Sequence, residues 1–342
     1  MPKPLLNYLG AIWRAAWVML LMAGHVSAEP THVMRISTEN TVGHVQTQAI
    51  GRFAQQLEQA SKGRIDVRFH HSAQLYRDSD VVAALASDKA EMAVPGMWQL
   101  DRYEPDVGLY MLPLFYGRSV VEHYRVRDGE IGRQISRLIE SDLGVRVPGR
   151  WLDLGYASLY FTTRRVARHE DLAGLRIRIP GGAANRGRLE MFQADPVVVA
   201  WPDLPNALAR GQVQGVLSTH ETVRSAELWR NGIRFGFEDR EYFAQYVPMI
   251  SDRFWQRLPA DLRLLIQDTW EQVVDTQRQA AAQAQAQARE ELLANGIEMI
   301  VPDDTVLARW RHIARQQEPV LVDQLGINPL LVEQAQEVLE RP

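Results

Sequence analysis

Between Asp261 and Asn295 the chain contains no glycine and no proline, and Gly296 follows as a stop signal. As one helix this stretch would run about 50 Å, so any fold for the chain has to accommodate a single element of that length. Its middle, Ala280 to Ala288, is almost purely Ala and Gln. Such a composition also suits a disordered low-complexity linker. Helix is the stronger reading, because Ala is the best helix former and apolar positions flank the run on both sides.

Upstream, short apolar runs alternate with amphipathic ones. Val33 to Ser37 reads as a strand, and Val45 to Ser61 as a helix with Ile50, Phe53, Ala54 and Leu57 on one stripe. Lys62-Gly63 ends that helix, and Ile65 to Phe69 returns as a strand. Val81 to Ser87 is a further helix and Met92 to Val94 a strand. After Leu154 the alternation restarts. Tyr156 to Thr162, Arg176 to Ile179, Val197 to Ala200 and Val213 to Leu217 read as strands, with helices over Ala184 to Gln193 and Leu204 to Arg210. A short helical region is expected after Val301. The pattern predicts a mainly parallel α/β architecture in two units, and about 314 residues exceed one typical core.

Residues 1–28 are expected to be a signal peptide. Lys3 and Arg14 form a positive start, Ala15 to Ala23 is apolar but too short to span a bilayer, and Val26-Ser27-Ala28 fits a cleavage site. An uncleaved anchor is the competing reading. Losing Lys3 and Arg14 leaves 36 basic against 42 acidic residues, a balance that argues against nucleic-acid binding. There is no cysteine, which excludes disulfides, thiolate chemistry and lipid attachment at a cleavage-point cysteine. A soluble periplasmic protein, monomeric and without membrane insertion, is the expectation. Neither a Gly-x-Ser-x-Gly elbow, a Walker loop nor a dinucleotide fingerprint occurs, and the nine histidines form no spaced metal set. No enzyme activity, cofactor or metal is expected.

Arg178 is the first candidate for a binding residue. In Leu175-Arg176-Ile177-Arg178-Ile179-Pro180 the alternation puts Arg176 and Arg178 on one strand face, and Pro180 closes the strand. A guanidinium there offers a rigid fork that matches a carboxylate. Spacing alone favours the plainer reading, a surface strand with two solvated arginines.

The run Asp171-Leu172-Ala173-Gly174-Leu175-Arg176-Ile177-Arg178-Ile179-Pro180, followed by Gln193-Ala194-Asp195-Pro196, resembles the signature of the solute-binding proteins of tripartite ATP-independent periplasmic (TRAP) transporters. Phe53-Ala54, Ser61-Lys62-Gly63-Arg64-Ile65, Gln74-Leu75, Leu112-Pro113-Leu114-Phe115 and Ala207-Leu208-Ala209-Arg210-Gly211-Gln212-Val213-Gln214-Gly215 resemble further blocks of that family in the same order. The resemblance implies a two-lobed periplasmic binding protein fold with a cleft between the lobes and the long helix lying across both. Lobe I is expected over 29–154, with part of about 244–280, and lobe II over 155–243, with part of about 281–342. It also implies a small organic acid whose carboxylate sits on Arg178, delivered to a TRAP membrane permease. A ligand-presenting subunit for a membrane sensor kinase is the alternative.

The resemblance also has gaps. Where the family usually carries a second arginine, the chain reads Gly155-Tyr156-Ala157-Ser158, and the position of a ligand-contacting Asn is Ser218. Tyr156, Ser158, Tyr160, Ser218 and Thr219 suggest a site that reads hydroxyl groups, favouring a sugar acid or hydroxy acid. Trp98, Trp151 and Trp201 lie near strand ends or loops, where clefts are built. Trp201 is placed to stack on a flat ligand face, and Asp203 serves either a ligand hydroxyl or a helix N-cap. The candidate ligand-binding set is therefore Arg178, Trp201, Ser218, Asp203, Trp98, Ser158, Tyr156, Glu39 and His220, with Arg164 or Arg186 next in line as the cation.

Overall fold

The computed structural model describes residues 32–341. The expected signal peptide lies outside the described residues. Eleven strands are assigned among them: β1 (His32–Ser37), β2 (Ile65–His70), β3 (Met92–Ala93), β4 (Val145–Arg146), β5 (Leu152–Phe161), β6 (Arg176–Ile179), β7 (Asp195–Val198), β8 (Gly215–Thr219), β9 (Phe235–Tyr246), β10 (Met249–Ser251) and β11 (Glu298–Ile300). They form two sheets, ordered β2-β1-β3-β10-β4 and β11-β9-β5-β8-β6-β7. The fold is two-lobed α/β, with one sheet in each lobe.

Both sheets are mixed. β1 runs parallel to β2 and β3, whereas β10 is antiparallel to β3 and β4. In the second sheet β6 is parallel to β7 and β8, and β5 is antiparallel to β8 and β9. The chain passes from the first sheet to the second through β5 and comes back through β9. Leu152 pairs with Tyr246 at the near end of these strands, and Tyr246 also bridges Gly96 next to the first sheet. Two register shifts interrupt the β5–β9 ladder, one at Asp153/Gly155 and one at Ala157/Leu159. Bulges of this kind bend and twist a strand locally.

The long helix spans Ala260–Ala294. At 1.5 Å per residue it measures about 52 Å. It packs on the helix Val45–Ala60 of the first lobe and on β5 and the helix His220–Ser225 of the second. Trp270 is fully buried and meets Phe53 edge-on at 5.2 Å. The Ala-Gln stretch is ordered helix, and its composition has a structural use. Gln277 brackets the Asp153 peptide, accepting its N–H at 3.0 Å and donating to its carbonyl at 2.7 Å. Two turns on, Gln285 donates to the Leu154 carbonyl at 2.7 Å and accepts the Glu221 N–H at 3.1 Å. The neighbouring alanines let the helix lie close to β5, so these short amides reach its backbone where the ladder is irregular.

Several boundaries differ from expectation. β5 begins at Leu152 rather than Tyr156, because its first residues pair with the end of β9. β9 and the helix Glu130–Leu143 were not legible as separate elements. The region after Val301 is not short: it holds the helices Asp304–Leu325 and Pro329–Glu340. Among the described residues no helix is long and apolar enough to cross a membrane.

Candidate functional site

A cavity of about 40 Å³ lies between the lobes. It is lined from the first lobe by Glu39, Asn40, Asp78 and Trp98, and from the second by Arg178, Trp201, Leu217 and Ser218. Tyr242, Ala244 and Tyr246 of β9 and Leu154 and Ala157 of β5 form its back. By this measure a water needs about 10–15 Å³, so the space suits a compact ligand.

Arg178 is buried at the C-terminal end of β6. Nε donates to the Val199 carbonyl at 2.9 Å and Nη1 to the Leu217 carbonyl at 3.4 Å. These carbonyls, just past β7 and in β8, fix the plane of the guanidinium. Its carbon lies 5.6 Å from the centre of the Trp201 ring, within cation–π range. Arg178 makes no ion pair among the described residues. Burial pulls its pKa down to about 10, and the negative field of Glu39 partly offsets that. The group remains a cation at neutral pH and is held without a paired carboxylate.

Two acids share the cavity. Burial pushes the Glu39 carboxyl above its usual range against the opposing pull of Arg178, with the Asp78 backbone N–H holding it in place. Asp78 is buried, accepts the Gly96 N–H at 3.3 Å, and is pushed up strongly by burial and then by Glu39. The Trp98 ring covers Gly96 so closely that a Cβ there would fall 2.1 Å from it. Trp98 in turn packs against Tyr246 at 5.7 Å and Tyr242 at 6.4 Å between centroids. Tyr246 receives a 2.7 Å hydrogen bond from Asn40.

Of the nine expected site residues, the structure brings Arg178, Glu39, Trp98, Trp201 and Ser218 to this cavity. The other four lie elsewhere. Asp203 does not line the cavity; it stands at the N-cap position of the helix Leu204–Ala209, but its carboxylate makes no cap bond and pairs with Arg77 at 2.6 Å. Tyr156 and Ser158 sit on the opposite face of β5 from Ala157, as strand alternation requires, and face a separate groove beside Ala281, Ala282 and Gln285 of the long helix. Tyr156 donates its hydroxyl to the Arg118 carbonyl. His220 lines that same groove, between the Tyr160 hydroxyl and Glu238, and burial lowers its pKa. Trp151 is core, edge-on to Tyr110 at 5.4 Å. Thr219 also reaches the cavity, where its hydroxyl accepts the Thr222 N–H and starts the next helix. Arg164 is exposed, and Arg186 bonds the Pro196 carbonyl and pairs with Glu190, so neither lines the cavity.

Asp78, Tyr242 and Tyr246 were not anticipated. The two tyrosines are four residues apart on one face of β9, a signal visible only once that segment is read as a strand. Asp78 sits in the loop after β2, where an acid carries no local pattern.

The lobes touch at several points around the cavity. Besides Arg77–Asp203, Gln99 donates to the Pro180 carbonyl at 3.0 Å, and Asp101 accepts the Ala183 N–H at 2.6 Å at the start of the helix Ala183–Glu190. Val45 N–H reaches Glu221 at 3.2 Å. A separate buried cluster joins His169, Asp239 and Glu241. Arg188 lies 3.3 Å from Glu241 and 3.9 Å from Asp239 and supplies their counter-charge, so the group is an internal ion cluster.

Residues 36–319 match the model of the family described as bacterial extracellular solute-binding protein, family 7. A C4-dicarboxylate-binding periplasmic protein of Rhodobacter capsulatus is 24% identical over 264 residues, 75% of each chain. A sialic acid-binding periplasmic protein of Vibrio cholerae is 23% identical over 295 residues, 83% of this chain and 88% of that one. Among solved structures, a TRAP periplasmic solute-binding protein of Sulfurospirillum deleyianum with bound succinate superposes with a TM-score of 0.83 at 20% identity, covering 90% of this chain and 99% of that chain. A sugar acid-binding protein of Advenella mimigardefordensis in complex with galactonate also gives 0.83, at 16% identity, covering 91% and 98%.

Proposed function

The chain belongs to the bacterial extracellular solute-binding proteins of family 7, and from that premise we propose that it captures one compact organic acid between its lobes, with the acid's carboxylate on Arg178, and passes it to the membrane permease of a TRAP transporter. The protein is a periplasmic solute-binding subunit of the TRAP type, and its work is binding and transport rather than catalysis. Two of the similar solved structures hold organic acids, succinate in one and galactonate in the other, which supports this reading.

The observation that carries the clamp is the state of Arg178: a cation taken out of water, fixed by two carbonyls, and left without a carboxylate partner. A buried charge of this kind is costly unless something compensates it. A ligand carboxylate supplies the missing charge and takes the free edge of the guanidinium in charge-assisted hydrogen bonds. Trp201 covers one side, and closure of the lobes removes water from the pair. The lobes, on this reading, divide near Leu154 in β5 and Ala244 in β9, with β1–β4 and β10 in one and β5–β9 and β11 in the other.

A thermal-shift screen of the mature protein over short hydroxy acids, 2-oxo acids, dicarboxylates, amino acids and sugar acids tests the reading. One acid at 100 times its dissociation constant is expected to add about 2.7 kcal/mol of stability. Stabilisation by neutral sugars or by cations alone, with no acid active, contradicts it.

A further inference from the structure

Among the described residues the cavity is lined by more carboxyl groups than guanidinium groups. One guanidinium, Arg178, lines it, against two carboxyls, Glu39 and Asp78. If both acids are ionised, a monoanion raises the count to three negative charges facing one positive charge in an enclosed space. A dicarboxylate makes it worse. A hydroxyl group on the ligand fills hydrogen bonds but leaves the charge unchanged.

Glu39 stands within the field of Arg178, while Asp78 is set among the rings. Arg178 is grouped with Trp201 at the β6–β8 side. The acids are grouped with the other rings: Gly96 donates to Asp78 and lies under Trp98, and Tyr246 feels the field of both Asp78 and Glu39. Tyr242 stands edge-on to Trp98 and Tyr246 is tilted to it, neither stacked flat, which leaves ring surface for a further group. Ring faces and carboxylates together are the surroundings that attract an organic cation.

From this arrangement the geometry points to an amphoteric ligand, a compact acid that carries an ammonium or other cationic nitrogen group, with its carboxylate on Arg178 and its cationic end among Glu39, Asp78, Trp98 and Tyr246. The assignment rests on the carboxylate reading above and narrows it: Arg178 recognises the acid, and the first-lobe acids choose which acid. Burial pushes both carboxyls up, and the field of Glu39 pushes Asp78 up further, which agrees with a site short of one cation.

The test is calorimetric titration of the mature protein with matched pairs that differ in charge and not in shape. Trimethylglycine is set against 3,3-dimethylbutanoate, and 2-amino acids against the 2-hydroxy acids of the same skeleton, with succinate as the dicarboxylate. At least one cationic-nitrogen acid is expected to bind tenfold or more tighter than its uncharged isostere. Glu39→Gln is expected to erase most of that difference and to leave the isostere unchanged or slightly tighter, an outcome a misfolded variant cannot give. Hydroxy acids or succinate binding as well as, or better than, every cationic-nitrogen acid overturns the assignment while leaving the Arg178 clamp intact. A panel in which no acid of any class binds removes the clamp and this assignment together.

Discussion

Arg77 and Asp203 join the two lobes, with 2.6 Å between guanidinium and carboxylate. The pair stands beside the cavity, since Glu39 senses both charges. Asp203, which the sequence offers to the ligand or to a helix cap, takes the cap position but spends its carboxylate on a clasp between lobes. Both side chains are about half exposed, at 42% and 54%. Exposed pairs contribute little, because water and salt screen them.

Arg77→Ala and Asp203→Ala are therefore expected to weaken ligand binding by no more than about fivefold. The loss should appear in the dissociation rate, and the double variant should match the singles. Stopped-flow and calorimetric measurements check this. A loss of a hundredfold for Asp203→Ala would return that carboxylate to the ligand.

Closure makes a second expectation measurable. Trp98 and Trp201 come from different lobes and both line the cavity. Ligand should shift the intrinsic fluorescence, and solution scattering should show a smaller radius of gyration at saturation. An unchanged scattering profile with ligand bound contradicts hinge closure.

How far this was legible in the sequence depends on the element. Arg176 to Ile179 was readable because a four-residue alternation ending in Pro leaves few choices, and the family-like run around it marked Arg178. The long helix was readable from the lack of Gly and Pro. What the sequence concealed were relations set by long-range pairing. Tyr156 and Ser158 looked like cavity residues, but their face of β5 depends on the register with β8 and β9, and a shift of one residue exchanges the faces. β9 was missed because buried acids, Glu238, Asp239 and Glu241, interrupt its apolar pattern; they are tolerated there because His169, Arg188, His220 and Arg289 meet them.

His123 gives a pH-dependent prediction. Its ring is stacked between Phe115 at 5.3 Å and Phe243 at 4.8 Å, and neither ring nitrogen has a partner among the described residues. Burial, then the field of Arg127, lowers its pKa to about 3. In the unfolded chain it titrates at the ordinary 6.5. Between these values the unfolded state binds more protons, so stability falls as the pH drops from 6.5 toward 3. His123→Phe removes that sensitivity at a site that already accepts an aromatic ring. Relative to wild type the variant should gain about 2–3 kcal/mol between pH 7 and pH 4.5. Urea unfolding at both pH values measures it; a constant difference between the two proteins contradicts the buried neutral imidazole. His44, also lowered to about 3 by burial, keeps part of the acid sensitivity in both proteins.

The most direct measurement concerns Arg178 itself. Calorimetric titration compares wild type, Arg178→Ala, Arg178→Lys and Arg176→Ala with the acid found by screening, after each variant is shown to be folded. Arg178→Ala leaves the ligand carboxylate unpaired in a closed cavity, a loss of about 3–5 kcal/mol or roughly a hundredfold to several thousandfold in affinity. Arg178→Lys should also bind poorly, because an ammonium keeps the charge but not the planar fork. Arg176 is the control: it is exposed on the same strand and lies 3.8 Å from Asp195, so its loss should change affinity by less than about twofold. An Arg178→Ala protein that binds within about threefold of wild type, or an Arg176→Ala protein that loses more than Arg178→Ala, contradicts the account.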